Sequence, residues 1–182
     1  MVDYFAIIHK HIDPASLTYR YYLPHVVLVT QKALQAARRL NLAEAQLRFI
    51  EEAAMLHDIG IIKVKAEEIG CTGDLPYLCH LSEGRAILER EGLPGHALVA
   101  ERHAGVGISK EEIMERNYPL PPRDMLAESL EEKIISWADL FYGKYPGKVW
   151  VERPQEKVRQ GLAKFGQDKV KRFDEWQALF AG

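Results

Sequence analysis

"NLAEAQLRFIEEAAMLHDIG", residues 41–60, decides how this chain folds and where its chemistry sits. Leu47, Ile50, Ala54 and His57 fall at helical i, i+3, i+4 spacing. The histidine therefore lies on the face that a packing helix buries. Gly60 reads as the glycine that ends such a helix. Asp58 follows the histidine directly, and successive side chains on a regular helix diverge by about 100°. At a fraying helix end beside Gly60 the backbone can turn and bring both groups toward one centre. An ionised aspartate there is costly to bury unless an opposite charge or a metal ion faces it.

Toward the N-terminus, Asp3 to His11 reads as a short helix. Ser16 is the cap of a long one that runs to about Leu40. That helix carries His25 within "YLPHVVLVTQ", among Leu23, Val26, Val27 and Leu28. Toward the C-terminus, Gly70, Gly73 and Pro76 make Ile61 to Cys79 an irregular loop, and a loop this long in a compact domain is usually functional. His80 opens a helix to about Arg90, "EGLPG" breaks it, and another covers about His96 to His103. Ser109 caps a short helix with Glu112 at the capping-box offset, and "NYPLPPRD" is extended. Ser129 with Glu132 opens a helix to about Tyr142 that carries Asp139. "YPGK" breaks the chain, and the last 30 residues form one long amphipathic helix or a pair. The pattern predicts an all-α bundle of about seven to nine helices. We expect one domain over residues 1–182, with its core at about 20–145 and a helical C-terminal segment at about 152–182.

Composition bounds the rest. The 182 residues are 47% hydrophobic and 27% charged, as in globular proteins. A net charge of -2 gives no electrostatic footprint for a nucleic acid polymer or an anionic membrane. No apolar run approaches the roughly 18 residues of a membrane span. The start, "MVDYFAIIHKHID", lacks the features of a signal peptide, so a cytoplasmic location is expected. Cys71 and Cys79, eight positions apart, match no zinc-finger spacing and are expected to be reduced.

Six polar residues stand on apolar faces or at their ends: His25, His57, Asp58, His80, His103 and Asp139. Alone, a buried histidine is more often a core residue than a ligand, and Asp139 alone reads as half of a salt bridge. Together they suit one or two divalent ions, among Mn, Fe, Ni, Co, Zn and Mg. His96, beside Pro94 and Gly95, reads as a cap or surface residue, and His9 and His11 as surface residues.

The ordered set "MLHDIG", "HLSEGRAILEREGLP", "ALVAERHAGVGIS", "LPPRD" and "SLEEKIISWADLFYGK", with His25 upstream, resembles the HD-domain metal-dependent phosphohydrolase superfamily. The likeness extends over about residues 20–145 and looks nearest to small stand-alone bacterial and archaeal HDIG proteins. It implies that His25, His57, Asp58 and Asp139 are core metal ligands. It also implies that His80 and His103 hold a second ion in dinuclear members, with Asp58 bridging. After His103, "AGVGIS" departs from the branch that cleaves cyclic di-GMP, and the long extensions of the alarmone hydrolases are lacking.

The implied activity is hydrolysis of a phosphoester of a small phosphorylated metabolite or nucleotide by metal-activated water. Asp58 would be the catalytic carboxylate. Arg102 near His103, Arg123 in "LPPRD" and Lys144 near Asp139 would meet phosphate charge, with Lys63 and Lys65 as weaker candidates; each also reads as a surface charge, and Arg123 with Asp124 as an ion pair. The alternatives are a non-catalytic HD-type sensor or binding module and, further off, a di-iron oxygenase. Val158, Leu162, Phe165, Val170, Phe173, Trp176, Leu179 and Phe180 form an apolar stripe that packs on its own domain or serves a homodimer.

Overall fold

The computed structural model describes residues 2–181, and among these it is all-α. Nine helices follow one another: α1 (Tyr4–His11), α2 (Leu17–Arg39), α3 (Glu44–Leu56), α4 (His80–Arg90), α5 (Pro94–Arg102), α6 (Lys110–Glu115), α7 (Leu130–Asp139), α8 (Gln155–Ala163) and α9 (Gln167–Phe180). The caps sit where the sequence places them. The hydroxyls of Ser16, Ser109 and Ser129 accept from the amides of Tyr19, Glu112 and Glu132 at 3.1, 3.2 and 3.1 Å. The α7 helix stops at Asp139, short of Tyr142, and α5 begins at Pro94, where a missing N–H costs nothing.

Helix α2 packs on α3 and α7, while α5 lies against α3, α4 and α7. Ala33, Ala36 and Ala37 of α2 are fully buried beside Trp137, Phe141, Phe173, Trp176 and Phe180, small side chains facing large ones. The C-terminal segment is a helix pair. Val158, Leu162, Val170, Phe173, Trp176 and Phe180 of its stripe are buried in the chain's own core, whereas Phe165 and Leu179 are exposed. A second core gathers Tyr22, Leu56, Ile59, Ile61 and Leu88.

The loop between α3 and α4 has more structure than its sequence suggests. Two 3-10 turns (Ile59–Lys63 and Tyr77–Cys79) flank a two-residue antiparallel hairpin, β1 (Lys65–Ala66) with β2 (Cys71–Thr72), and a third (Glu67–Ile69) joins its strands. Ile61, Val64, Ile69 and Cys71 anchor it in the second core. Both cysteines are free and buried.

Two expectations are corrected here. Gly60 does not end α3, which stops at Leu56; it lies inside a 3-10 turn. Its value is space, because a Cβ there would stand 2.1 Å from the His80 carbonyl oxygen and 2.4 Å from the Gly84 amide nitrogen. The first turns of α4 thus rest directly on the backbone that follows Asp58. His96 is buried rather than a surface residue. Its Nε2 lies 3.3 Å from a Glu52 carboxylate oxygen and its ring is 4.9 Å from that of Phe49.

Gly60→Ala must push backbone from backbone. It should cost about 3 kcal/mol, at the upper end for overpacking, read as a lower denaturation midpoint. Burial pushes His96 below its ordinary value, with the Glu52 carboxylate pulling the other way. The folded chain then resists a proton that the unfolded chain accepts below about 6.5. This contribution to stability is complete above that pH and shrinks as pH falls below it. Thermal unfolding between pH 7.5 and 5.5 should show the loss, and His96→Gln should flatten it.

Candidate metal centre

All six donors nominated from sequence meet at one point, delivered mostly by helix ends. His57 and Asp58 follow the last residue of α3, His80 opens α4, His103 follows α5, and Asp139 closes α7; His25 alone projects from within a helix, α2. The turn expected after His57 exists: Asp58 has left helical geometry, at φ -100° and ψ 9°. The Tyr22 hydroxyl donates to the Met55 carbonyl at 2.8 Å and ties the end of α3 to α2 beside His25.

Asp58 is fully buried and stands at the middle. Its Oδ2 lies 2.9 Å from His25 Nε2 and 3.2 Å from His57 Nε2. Its Oδ1 lies 3.5 Å from the Nε2 atoms of both His80 and His103. Asp139 Oδ1 is 3.1 Å from His25 Nε2 and 3.5 Å from His57 Nε2. The donors thus fall into two groups that share Asp58, one with His25, His57 and Asp139, the other with His80 and His103, and within each group the ligand atoms lie within 4.8 Å of one another.

Three imidazoles are aimed the same way. The Nδ1 atoms of His57, His80 and His103 lie 2.7, 2.6 and 2.9 Å from the carbonyls of Ala54, Tyr77 and Ala100, each three residues back. A neutral ring that donates through Nδ1 has only a lone pair left at Nε2. His80 and His103 then oppose lone pairs to each other at 3.3 Å. Asp58 Oδ1 and Asp139 Oδ1 are buried with no hydrogen-bond partner. Buried acceptors facing acceptors repel, and a cation between them resolves the conflict. The donor set therefore fits a divalent metal.

The electrostatics differ between the two groups. Burial pushes His80 down to about 3, so that it stays a neutral donor. Burial also works against a charged His57, but the Asp58 and Asp139 carboxylates overcome it and raise that ring to about 10. Burial would raise both aspartates, yet Lys144 and His57 hold Asp58, and His25 and His57 hold Asp139, well below the usual carboxylate range. The Lys144 ammonium bonds Asp58 Oδ2 and lies 3.3 Å from His25 Nε2, a tethered cation already at the centre.

Beside this centre opens a cavity of about 470 Å³, whose lining includes Lys65, Tyr77, Asp139, Tyr142, Lys144 and Arg153. Of the cationic residues nominated from sequence, Lys144 and Lys65 reach it; Lys63 is exposed and does not line it. Arg102 and Arg123 also lie elsewhere. Arg102 bonds Glu132 at 3.1 Å and Glu128 at 3.2 Å, and Arg123 bonds Glu101 at 3.0 Å. Nearness to His103 nominates Arg102, and the "LPPRD" segment nominates Arg123, but their side chains point to carboxylates rather than to the centre. Sequence reasoning missed Tyr77, whose ring sits 4.8 Å from that of His80, and Arg153. Tyr77 had a signal, its place at the end of the irregular loop; Arg153, beyond the "YPGK" break, had none.

Comparison with known proteins matches the HD domain family model to residues 22–142. A tRNA (cytidine(56)-2'-O)-methyltransferase of Thermoplasma volcanium is 33% identical over 125 residues, which is 68% of this chain and 32% of that protein. An uncharacterized protein of Methanocaldococcus jannaschii is 35% identical over 123 residues, 65% of each. The match thus spans about a third of the methyltransferase and just under two thirds of the second relative. Among solved structures, the HD domain of the Listeria monocytogenes phosphodiesterase PgpH superposes with a TM-score of 0.54 at 15% identity, covering 100% of this chain and 97% of that one. The same domain in complex with cyclic-di-AMP gives 0.56 at 16%, covering 100% and 96%. At that identity the likeness is one of fold. The matched segment contains all six donors, and the chain belongs to the HD domain family.

Proposed function

We propose that this chain is a metal-dependent phosphohydrolase acting on a phosphoester of a small phosphorylated metabolite or nucleotide. One observation carries the reading: a fully buried aspartate turns one oxygen to each of two histidine groups, beside a cavity lined with cations. His25, His57, Asp58 and Asp139 would hold one divalent ion, and Asp58, His80 and His103 a second. Such ions, when bound, supply water acidified to near neutral pH and offset phosphate charge.

The chain's own groups do the rest. Lys144 leaves Asp58 for a phosphate oxygen, Arg153 and Lys65 offer further positive charge, and Asp58 orients the attacking water. Arg102 and Arg123, already engaged by carboxylates, are given no part in holding phosphate. The solved PgpH domain with cyclic-di-AMP lends support to a nucleotide among the substrates. All six donor positions are filled, which favours an enzyme over a decayed sensor. Mn, Fe, Ni, Co and Zn suit the mixed imidazole and carboxylate set better than Mg.

Asp58→Ala should lose bound metal, measured by elemental analysis, together with phosphoesterase activity on a panel of phosphomonoesters and nucleotides; unchanged metal and turnover would refute the proposal. Lys144→Ala should keep the metal and raise KM about tenfold, the loss of one charge-assisted hydrogen bond of roughly 1.5 kcal/mol. A wild-type chain that binds metal but turns over nothing in the panel would instead support the binding-module reading.

A further inference from the structure

We propose that Glu101 and Arg102 are positioning residues that aim His103, and with it the second metal position. The inference rests on the two-ion reading above. Three consecutive residues at the end of α5 point to three different places. The Glu101 side chain is 1% exposed and accepts from two guanidinium groups, Arg85 at one oxygen and Arg123 at the other, the latter also through Nε at 3.0 Å. Arg102 reaches Glu132 at 3.1 Å and Glu128 at 3.2 Å, at the start of α7 and just ahead of it. His103 turns inward to Asp58.

The need for such bracing follows from where His103 sits. Helix α5 has nine residues and ends at Arg102, so His103 lies in a last turn whose carbonyls lack partners further along the helix. Its own bond from Nδ1 to the Ala100 carbonyl fixes the ring relative to that turn, but not the turn relative to the site. Glu101 fixes one side. Arg85 lies in α4, the helix that His80 opens, so one carboxylate joins the elements carrying both histidines of the second group. Arg102 fixes the other side against α7, whose last residue is Asp139. Removing the Glu101 charge would leave two guanidinium groups facing a neutral group and push α4 and the 121–125 segment apart. Of the elements that carry the first metal group, α2, α3 and α7, only α7 meets the clamp, through Arg102 at the helix's first turn, the end opposite Asp139.

The test counts manganese ions bound to the intact chain by titration, with the spin coupling of a metal pair as a second readout. The wild-type chain should take up two. Glu101→Gln should weaken the second class of site by about 10- to 100-fold, as the loss of a group that orients a ligand does. The first class should stay within about twofold and the pair signal should fade. Arg102→Gln should do the same, and Arg102→Lys should recover part of the loss. Arg159→Ala, which breaks an ion pair to Asp174 between α8 and α9, controls for general destabilisation and should spare both classes. Should Glu101→Gln fail to fold, Arg123→Gln carries the test, because its side chain is 48% exposed. Two unperturbed classes in the variants, or equal weakening of both, overturns the bracing role alone. A wild-type chain that binds a single ion overturns this role and the two-ion reading together.

Discussion

A carboxylate with no access to water is the constraint on which the structure turns. Asp58 is fully buried, and its two oxygens face opposite ways, one toward His25 and His57 and the other toward His80 and His103. A charge in that position is tolerable only when its surroundings are built around it. Much of the fold can be read as that building work. Helix α3 stops one residue before His57, so that Asp58 adopts a non-helical backbone, and Gly60 then lets α4 approach closely enough to bring His80 within reach. Donors at helix ends can be aimed by a local change of dihedral angle, whereas a donor within a helix is aimed only by moving the helix. His25 is the one placed within, and α2, the longest helix, packs on both α3 and α7.

Charge is balanced locally as well. Two carboxylates, the fully buried Asp58 and the part-buried Asp139, confront the Lys144 ammonium and a His57 ring that burial alone would keep neutral. The second histidine pair has no such compensation, because His80 is driven strongly toward its neutral form. The two halves of the centre therefore differ in character: the Lys144 ammonium lies against the first, and in the second His80 is held neutral. Around them, Glu101 and Arg102 carry a further layer of charges that touches neither half directly.

How much of this was legible in the sequence depends on how local each signal is. The helices and their serine caps were legible because a cap is decided by residues three positions apart. The six donors were legible because charged or imidazole groups are conspicuous on otherwise apolar helical faces. Gly60 was read as a helix stop, since nothing in the chain's own neighbourhood says that the His80 carbonyl will lie against it. The hairpin in the 61–79 loop went unread because its two-residue strands owe their form to burial of Ile69 and Cys71 rather than to any alternation of their own. His96 was placed at the surface because its partners, Glu52 and Phe49, lie more than forty residues away. Arg102 was assigned to phosphate by its place beside His103, but adjacent residues on a helix diverge in direction; Arg123 was assigned through "LPPRD", and the carboxylates that claim both belong to other segments.

The segment from Gly143 to Arg153 has no regular secondary structure, yet it supplies Lys144, Tyr145 and Arg153 to the cavity wall and turns Trp150 outward at 70% exposure. All six donors lie outside it, on or against regular helices, Asp139 at the end of α7 just before it begins. The donor cluster and much of the cavity wall are thereby carried by different parts of the polypeptide. Exchanges in that segment at positions other than Lys144, which bonds Asp58, would reshape the cavity wall and leave the six clustered side chains in place. A scaffold divided in this way can vary its cavity without rebuilding its centre.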